Sequence, residues 1–321
     1  MGAGAIGSLF AAHLAQVTET WVLARRDEHA TAIEEQGLRV SGKADFTARL
    51  RATADPGAMP DPDLILVAVK ATQLEQTANT LAGRFPRAAV MTTQNGLGAE
   101  EIMAAAGPWP LISAVTFMSG IRHDDRHVEY ELDTPTWMGP YAGTGTPFAL
   151  VQEVHDLLVA SGLRAEAMPD LLPAQWSKLL FNAAVNGVAA LTNLPHIEAF
   201  ARRDEPGDLG HVLHALIDEG KAVARARGVS LHDDPWEMNV RAVSRGESTS
   251  AGGEYAHLPS MLEDVRAQRP TEVDFISGAI VREAERAGVP APLNAQVWRL
   301  VRGLERSWQW AREHETEVVG A

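Results

Sequence analysis

MGAGAIGSLFAAHLAQ (residues 1–16) decides how the first half of the chain is read. Gly2, Gly4 and Gly7 spell G-x-G-x-x-G, and a helix-patterned run begins at Ser8. In a strand–turn–helix unit the first glycine makes a tight turn and the second lets backbone approach a pyrophosphate. The third brings helix against strand. Gly2, Ala3, Gly4, Ala5, Ile6 and Gly7 are therefore a candidate phosphate loop. Only Met1 stands where the motif has a β-strand. In a doubly wound sheet that strand is central, paired on both edges and covered on both faces. Its loss would cost roughly a small domain's whole stability, ~5–15 kcal/mol. We therefore expect about five or six apolar β-type residues to belong before Met1.

Outward from the turn, strands alternate with helices. TETWVLA (18–24) reads as a strand, HATAIEEQG as a helix capped by Gly37, and 38–54 as a pair of strands. DLILVAVK (63–70) is a buried strand, followed by a helix, the strand AAVMTT, the turn QNGLG and further strands. That alternation predicts an α/β, Rossmann-type doubly wound parallel sheet, its first strand truncated. Past LRAEAM the strand signals vanish, and LPAQWSKLLFNAAVNGVAALT, LGHVLHALIDEGKAVARARG and later runs read as helices. The expected division is a dinucleotide-binding domain over 1–168 and an all-helical domain over 169–321.

Composition narrows the function. The 321 residues include no cysteine, which excludes disulfides, thiolate metal sites and a cysteine nucleophile. No metal site is expected. A net charge of −14 argues against non-specific nucleic-acid binding. No apolar run approaches a membrane span, and no signal or transit peptide is evident, so a cytoplasmic location is the simplest expectation.

The residue after the second strand reads the adenosine ribose. An acidic residue there suits NAD, and a basic one suits the 2′-phosphate of NADP. Arg25 and Arg26 occupy the position, which points to NADP(H); the alternative is a solvated pair of arginines. Lys70 and Gln94-Asn95-Gly96 close two further strands, at the ends where such sheets bind ligands. In the first C-terminal helix Lys178, Asn182 and Asn186 are spaced i, i+4, i+8, drifting about 40° per step. On so apolar a helix this stripe should line a cavity. Ser260 with Glu263, and Thr271 with Asp274, fit capping boxes, and Glu272 fits a first helical turn.

GAGAIGS, VAVKA, QNGLG, WSKLLFNAAVN, SMLEDVRAQRPTEVDFISG and VPAPLN, in this order across the chain, resemble the ketopantoate reductase family. The resemblance implies an enzyme that reduces a small 2-keto acid with NADPH, forming pantoate from 2-dehydropantoate. It implies nucleotide contacts at Gly2 to Gly7, Arg25, Lys70, Asn95 and Gly120, with Lys178 as proton donor. It places substrate amides at Asn182 and Asn186, a substrate serine at Ser260, and an acid near substrate and cofactor at Glu272. Asn95 is taken for substrate as well as cofactor. His196 stands where the family often has a substrate-contacting asparagine, so a larger and chargeable group is expected to alter specificity. Two alternatives stay open: a D-2-hydroxyacid dehydrogenase for branched or aromatic keto acids, and a non-catalytic NADP-binding relative. A homodimer is compatible with the resemblance.

Overall fold

The structure, a computed structural model, describes residues 1–202, 207–247 and 257–318. The chain divides into two compact units, Met1–Gln94 with Gly98–Leu171, and Asn95–Leu97 with Leu172–Ala321. The short Asn95–Leu97 turn thus belongs to the second unit.

The first unit opens with α1 (Ala5–Leu14), β1 (Trp21–Leu23), α2 (Asp27–Gln36), β2 (Leu38–Gly42), β3 (Phe46–Ala48) and β4 (Arg51–Thr53). It continues with β5 (Leu64–Val67), α3 (Leu74–Arg84), β6 (Ala89–Thr92), α4 (Ala99–Ala106), β7 (Leu111–Thr116), β8 (Ser119–Arg122) and β9 (His127–Leu132). β10 (Thr136–Pro140), α5 (Phe148–Ala160) and β11 (Ala165–Ala167) complete it. β5, β6 and β7 run parallel, and every residue of β6 and β7 is buried, as expected for strands covered on both faces.

The Rossmann-type α/β domain expected from the sequence is present, with its strands spread over three sheets. A five-stranded sheet has the order β11-β10-β7-β6-β5, a two-stranded one pairs β1 with β4, and a four-stranded one has the order β3-β2-β9-β8. β8 and β9 form an antiparallel excursion, after which the chain returns along β7 in the opposite sense. Residues 38–54 make three short strands rather than two, because β2 and β3 close as a hairpin and β4 leaves to run beside β1.

Between β1 and β5 the sheet is interrupted. Among the described residues Met1 and Gly2 alone bridge the gap. The Gly2 N–H donates to Leu23 O (3.3 Å), the Met1 nitrogen to Leu66 O (2.6 Å), and the Ala68 N–H to Met1 O (2.9 Å).

The second unit holds α6 (Leu172–Thr192), α7 (Asp208–Ala226), α8 (Pro235–Glu247), α9 (Ser260–Arg266), α10 (Ser277–Ala287) and α11 (Pro292–Val318). α6 lies at its centre, packed by α7, α8, α9 and α11. Trp176, Leu179, Leu180, Val185 and Ala189 put that helix into one core with Phe200, Leu213, Ile217 and Ile280. α7 approaches so closely that a Cβ on Gly220 would lie 2.4 Å from Leu180 Cδ2.

The capping boxes are corrected. Pro259 stands at the N-cap of α9 and Ser260 is its first residue, with no side-chain cap bond. α10 starts at Ser277, so Glu272 lies in a turn ahead of the helix rather than in its first turn. Thr271 Oγ1 accepts instead from the Val273 N–H (3.3 Å), a local side-chain turn that competes with helix there.

Candidate active site

In the first unit, the glycine turn, Arg25 and Lys70 lie at the carboxyl ends of β1 and β5. Gly2 adopts φ +95°, and a Cβ there would meet Ala68 C and O at 2.9 Å. A Cβ on Gly7 would sit 1.9 Å from Gly2 O, so only glycine lets α1 start so close to the turn. Among the described residues nothing lies within 4 Å of a Cβ built on Gly4, the N-cap of α1. The three glycines thus provide a forced turn, a tight helix approach and an open backbone face. Behind that open face are the first N–H groups of a helix, which suit an anion. The residues present fit a dinucleotide pyrophosphate.

Arg25 and Arg26 follow β1, and they differ. Arg26 Nη2 is engaged by both oxygens of Asp125 (2.6 and 2.8 Å), a carboxylate that also accepts from Arg122 (3.2 Å). Arg25 is exposed and forms no hydrogen bond or ion pair among the described residues. Lys70 is exposed just past β5, at the start of a short 3-10 turn. Gly120 lies instead on β8, in the four-stranded sheet, where a Cβ would meet Glu129 O at 2.6 Å and Leu9 Cδ1 at 3.0 Å. Its glycine is explained by packing.

In the second unit, α6 presents Lys178, Asn182 and Asn186, and all three are buried. Asn182 Nδ2 donates to Asn95 Oδ1 (3.4 Å), which brings two predicted site residues together from distant segments. Burial pushes the Lys178 ammonium down to about 8, and the charge of Glu272 opposes that fall. Glu272 is itself buried. A lysine held near neutrality under a carboxylate is suited to giving and regaining a proton. Ser260 lies half-buried at the start of α9.

His196 is only 2% exposed, and Nε2 lies 2.7 Å from Asn239 Oδ1. The Asn239 amide nitrogen donates to Phe200 O (2.7 Å), which makes its oxygen the acceptor and assigns the proton to His196 Nε2. Phe181 and Phe200 pack edge-on against the ring. Burial pushes its pKa down to about 4, so the expectation of a chargeable group at this position is corrected: the imidazole is neutral. Asn239 was missed in the sequence, because no spacing links a residue on α8 to a loop histidine far upstream.

Two family models match the chain: "Ketopantoate reductase PanE/ApbA" over residues 1–143 and "Ketopantoate reductase PanE/ApbA C terminal" over residues 170–305. A 2-dehydropantoate 2-reductase of Archaeoglobus fulgidus is 32% identical over 305 residues, covering 95% of this chain and 96% of the relative. The crystal structure of a PanE/ApbA family ketopantoate reductase from Ralstonia eutropha JMP134 superposes with a TM-score of 0.81 at 28% identity. It covers 96% of this chain and 98% of that one. D-mandelate dehydrogenase in a ternary structure with NADH and anilino(oxo)acetate shares the fold at 24% identity and TM-score 0.82, over 95% of this chain and 97% of that one. The chain belongs to the ketopantoate reductase family, a family of nicotinamide-dependent oxidoreductases.

Proposed function

We propose that this protein reduces 2-dehydropantoate to pantoate with NADPH. The observation that carries the reading is Lys178, buried on the same face of α6 as Asn182 and Asn186 and under the charge of Glu272. Gly2 to Gly7 would hold the pyrophosphate and Arg25 the 2′-phosphate, with Lys70 and Asn95 as the further cofactor contacts. When bound, the reduced nicotinamide supplies a hydride to the keto carbon.

The chain's own groups do the rest. As the carbonyl carbon becomes tetrahedral its oxygen gathers negative charge, which the Lys178 ammonium stabilises before transferring a proton to it. The product is a secondary alcohol, and the neutral amine left behind is reprotonated from water. Glu272 keeps Lys178 charged at neutral pH. Asn182, Asn186 and Ser260 donate hydrogen bonds that orient the substrate's carboxylate and hydroxyl oxygens, and His196 shapes the wall behind them. Because stabilisation by Lys178 grows along the reaction, it acts on the rate more than on binding.

The test is a panel of 2-keto acids with the purified protein, followed by loss of the reduced-nicotinamide absorbance. Turnover that is fastest with ketopantoate and NADPH is expected. Preference for aromatic or bulkier branched keto acids would move the assignment to a D-2-hydroxyacid dehydrogenase. NADPH binding with no turnover on the whole panel would refute the catalytic reading.

A further inference from the structure

Residues 271–276 carry Glu272 in a turn ahead of α10, where Glu272 O accepts the Phe275 and Ile276 N–H groups (3.0 and 3.1 Å) but the Thr271 N–H has no partner within the turn. Where this turn stands is fixed further by tethers from other elements, the first of them from α11. Glu305 Oε1 accepts the Thr271 N–H at 2.7 Å. On the other side, Thr271 Oγ1 accepts the Val273 N–H, so Glu272 sits between two restrained peptide groups. Trp298 Nε1, also on α11, donates to Asp274 Oδ1 at 2.6 Å, and Arg282 Nη1 donates to Asp274 O at 2.9 Å. The far end of the segment is tied as well: Phe275 O accepts the Leu97 N–H at 3.0 Å. Gly96, at φ +96°, lies so close that a Cβ would be 1.9 Å from that oxygen. The next link is Asn95, bonded to Asn182 on α6. One chain of contacts therefore runs from α11 through the Glu272 segment and the Asn95 turn to the polar stripe.

We infer that Glu305, seconded by Trp298, is a positioning residue that sets where the Glu272 carboxylate stands relative to Lys178. The inference rests on the role given to Glu272 above. Thr271 and Val273 are buried, so without the Glu305 acceptor the Thr271 N–H is left unsatisfied and the segment shifts to find a partner. A shift of about 1 Å at a reacting group costs up to ~10²-fold in rate. The charged groups around this network are Lys178 on α6, Glu272 and Asp274 in the segment, Arg282 on α10, and Arg302 and Arg306 beside Glu305 on α11.

The experiment compares Glu305→Ala, Glu305→Gln, Trp298→Phe and Glu272→Gln in the full chain, by kcat, KM for NADPH and the pH dependence of kcat. Glu305→Ala is expected to lower kcat by about ten- to a hundredfold with an unchanged KM for NADPH. Its alkaline limb should move to lower pH, as in Glu272→Gln, because Lys178 loses the same nearby charge. Glu305→Gln keeps a carbonyl acceptor for Thr271 and should stay within about twofold of the parent. Trp298→Phe, which removes only the Asp274 tether, should show a smaller shift of the same limb, and it decides the matter if Glu305→Ala does not fold. An unmoved limb in Glu305→Ala, or in Trp298→Phe where that variant must decide, overturns the inference. Equal effects of Ala and Gln at 305 also overturn it, since they would trace the change to lost charge beside Arg302 and Arg306. Full activity in Glu272→Gln would instead overturn the role of Glu272.

Discussion

The glycine turn before α1 and the polar stripe on α6 are built on opposite terms. The turn works by lacking side chains: Gly2 and Gly7 leave no room for a Cβ, and Gly4 leaves its face open. The stripe works by burying polar side chains in an apolar core, where Lys178 loses much of its preference for charge. The first kind of site couples ligand binding to the fold itself, so damage there should be seen in binding and stability together. In the second kind, stability and chemistry are opposed, because a buried charge destabilises the structure that uses it.

The sharpest way to break this contrast is Lys178→Met, which keeps the volume and removes the charge. It should lower kcat by about 10²–10⁴-fold, the usual worth of a positioned acid, while NADPH affinity stays near the parent value. It should also raise the melting temperature at pH 7. The folded pKa of about 8 lies below the ordinary lysine value, so the charged form is penalised in the fold below pH 8. That penalty fades as pH rises toward the ordinary value. A variant that is both active and less stable would remove the contrast. In the parent, reductive kcat should fall as pH rises through about 8, if Lys178 is the proton donor proposed above.

His196 tests whether burial in the second unit has the same sign for a residue outside the stripe. Its folded pKa, about 4, lies below its ordinary value of 6.5, so the unfolded chain binds the proton more tightly. Stability should therefore decline as pH falls from 6.5 to about 4, by about 3 kcal/mol in all, and level off below. His13 and His29 are also pushed down by burial and add slope of the same sign, so the comparison is with His196→Asn. Urea melts of that variant should show a flatter acid limb, and an unchanged limb would refute the burial argument. If relative kcat/KM among keto acids also stays constant in His196→Asn, the residue supports the wall without selecting the substrate.

At the turn, Gly7→Ala should destabilise by about 1–3 kcal/mol, an overpacking cost, and weaken NADPH in parallel. Calorimetry and cofactor-fluorescence titration would be run on the same preparation. Weakened binding at full stability would uncouple what the turn is expected to join. The smallest effect separates the two arginines. Arg25→Ala should raise KM for NADPH about tenfold and leave NADH unchanged, since only NADPH carries a phosphate to pair. Arg26→Ala should do less, because Asp125 already holds that guanidinium. Equal losses with both cofactors would defeat the assignment.

What the sequence determined by itself was whatever short-range spacing encodes. The Gly2–Gly7 turn, the boundary of α2 at Gly37, the full span of α6 and the common face of Lys178, Asn182 and Asn186 were all legible. Backbone geometry within a few residues decides each of them. The tertiary structure decided what depends on residues far apart in the chain. Asp125 selects which arginine stays available, Asn239 and two phenylalanines surround a His196 whose burial keeps it neutral, and β8 and β9 join β2 and β3 in a sheet of their own. Local spacing placed Thr271, Glu272 and Asp274 at a helix start, yet a side-chain turn and a glutamate from α11 hold them outside it. Burial and charge are sums over spatial neighbours, and those neighbours are known only once the chain has folded.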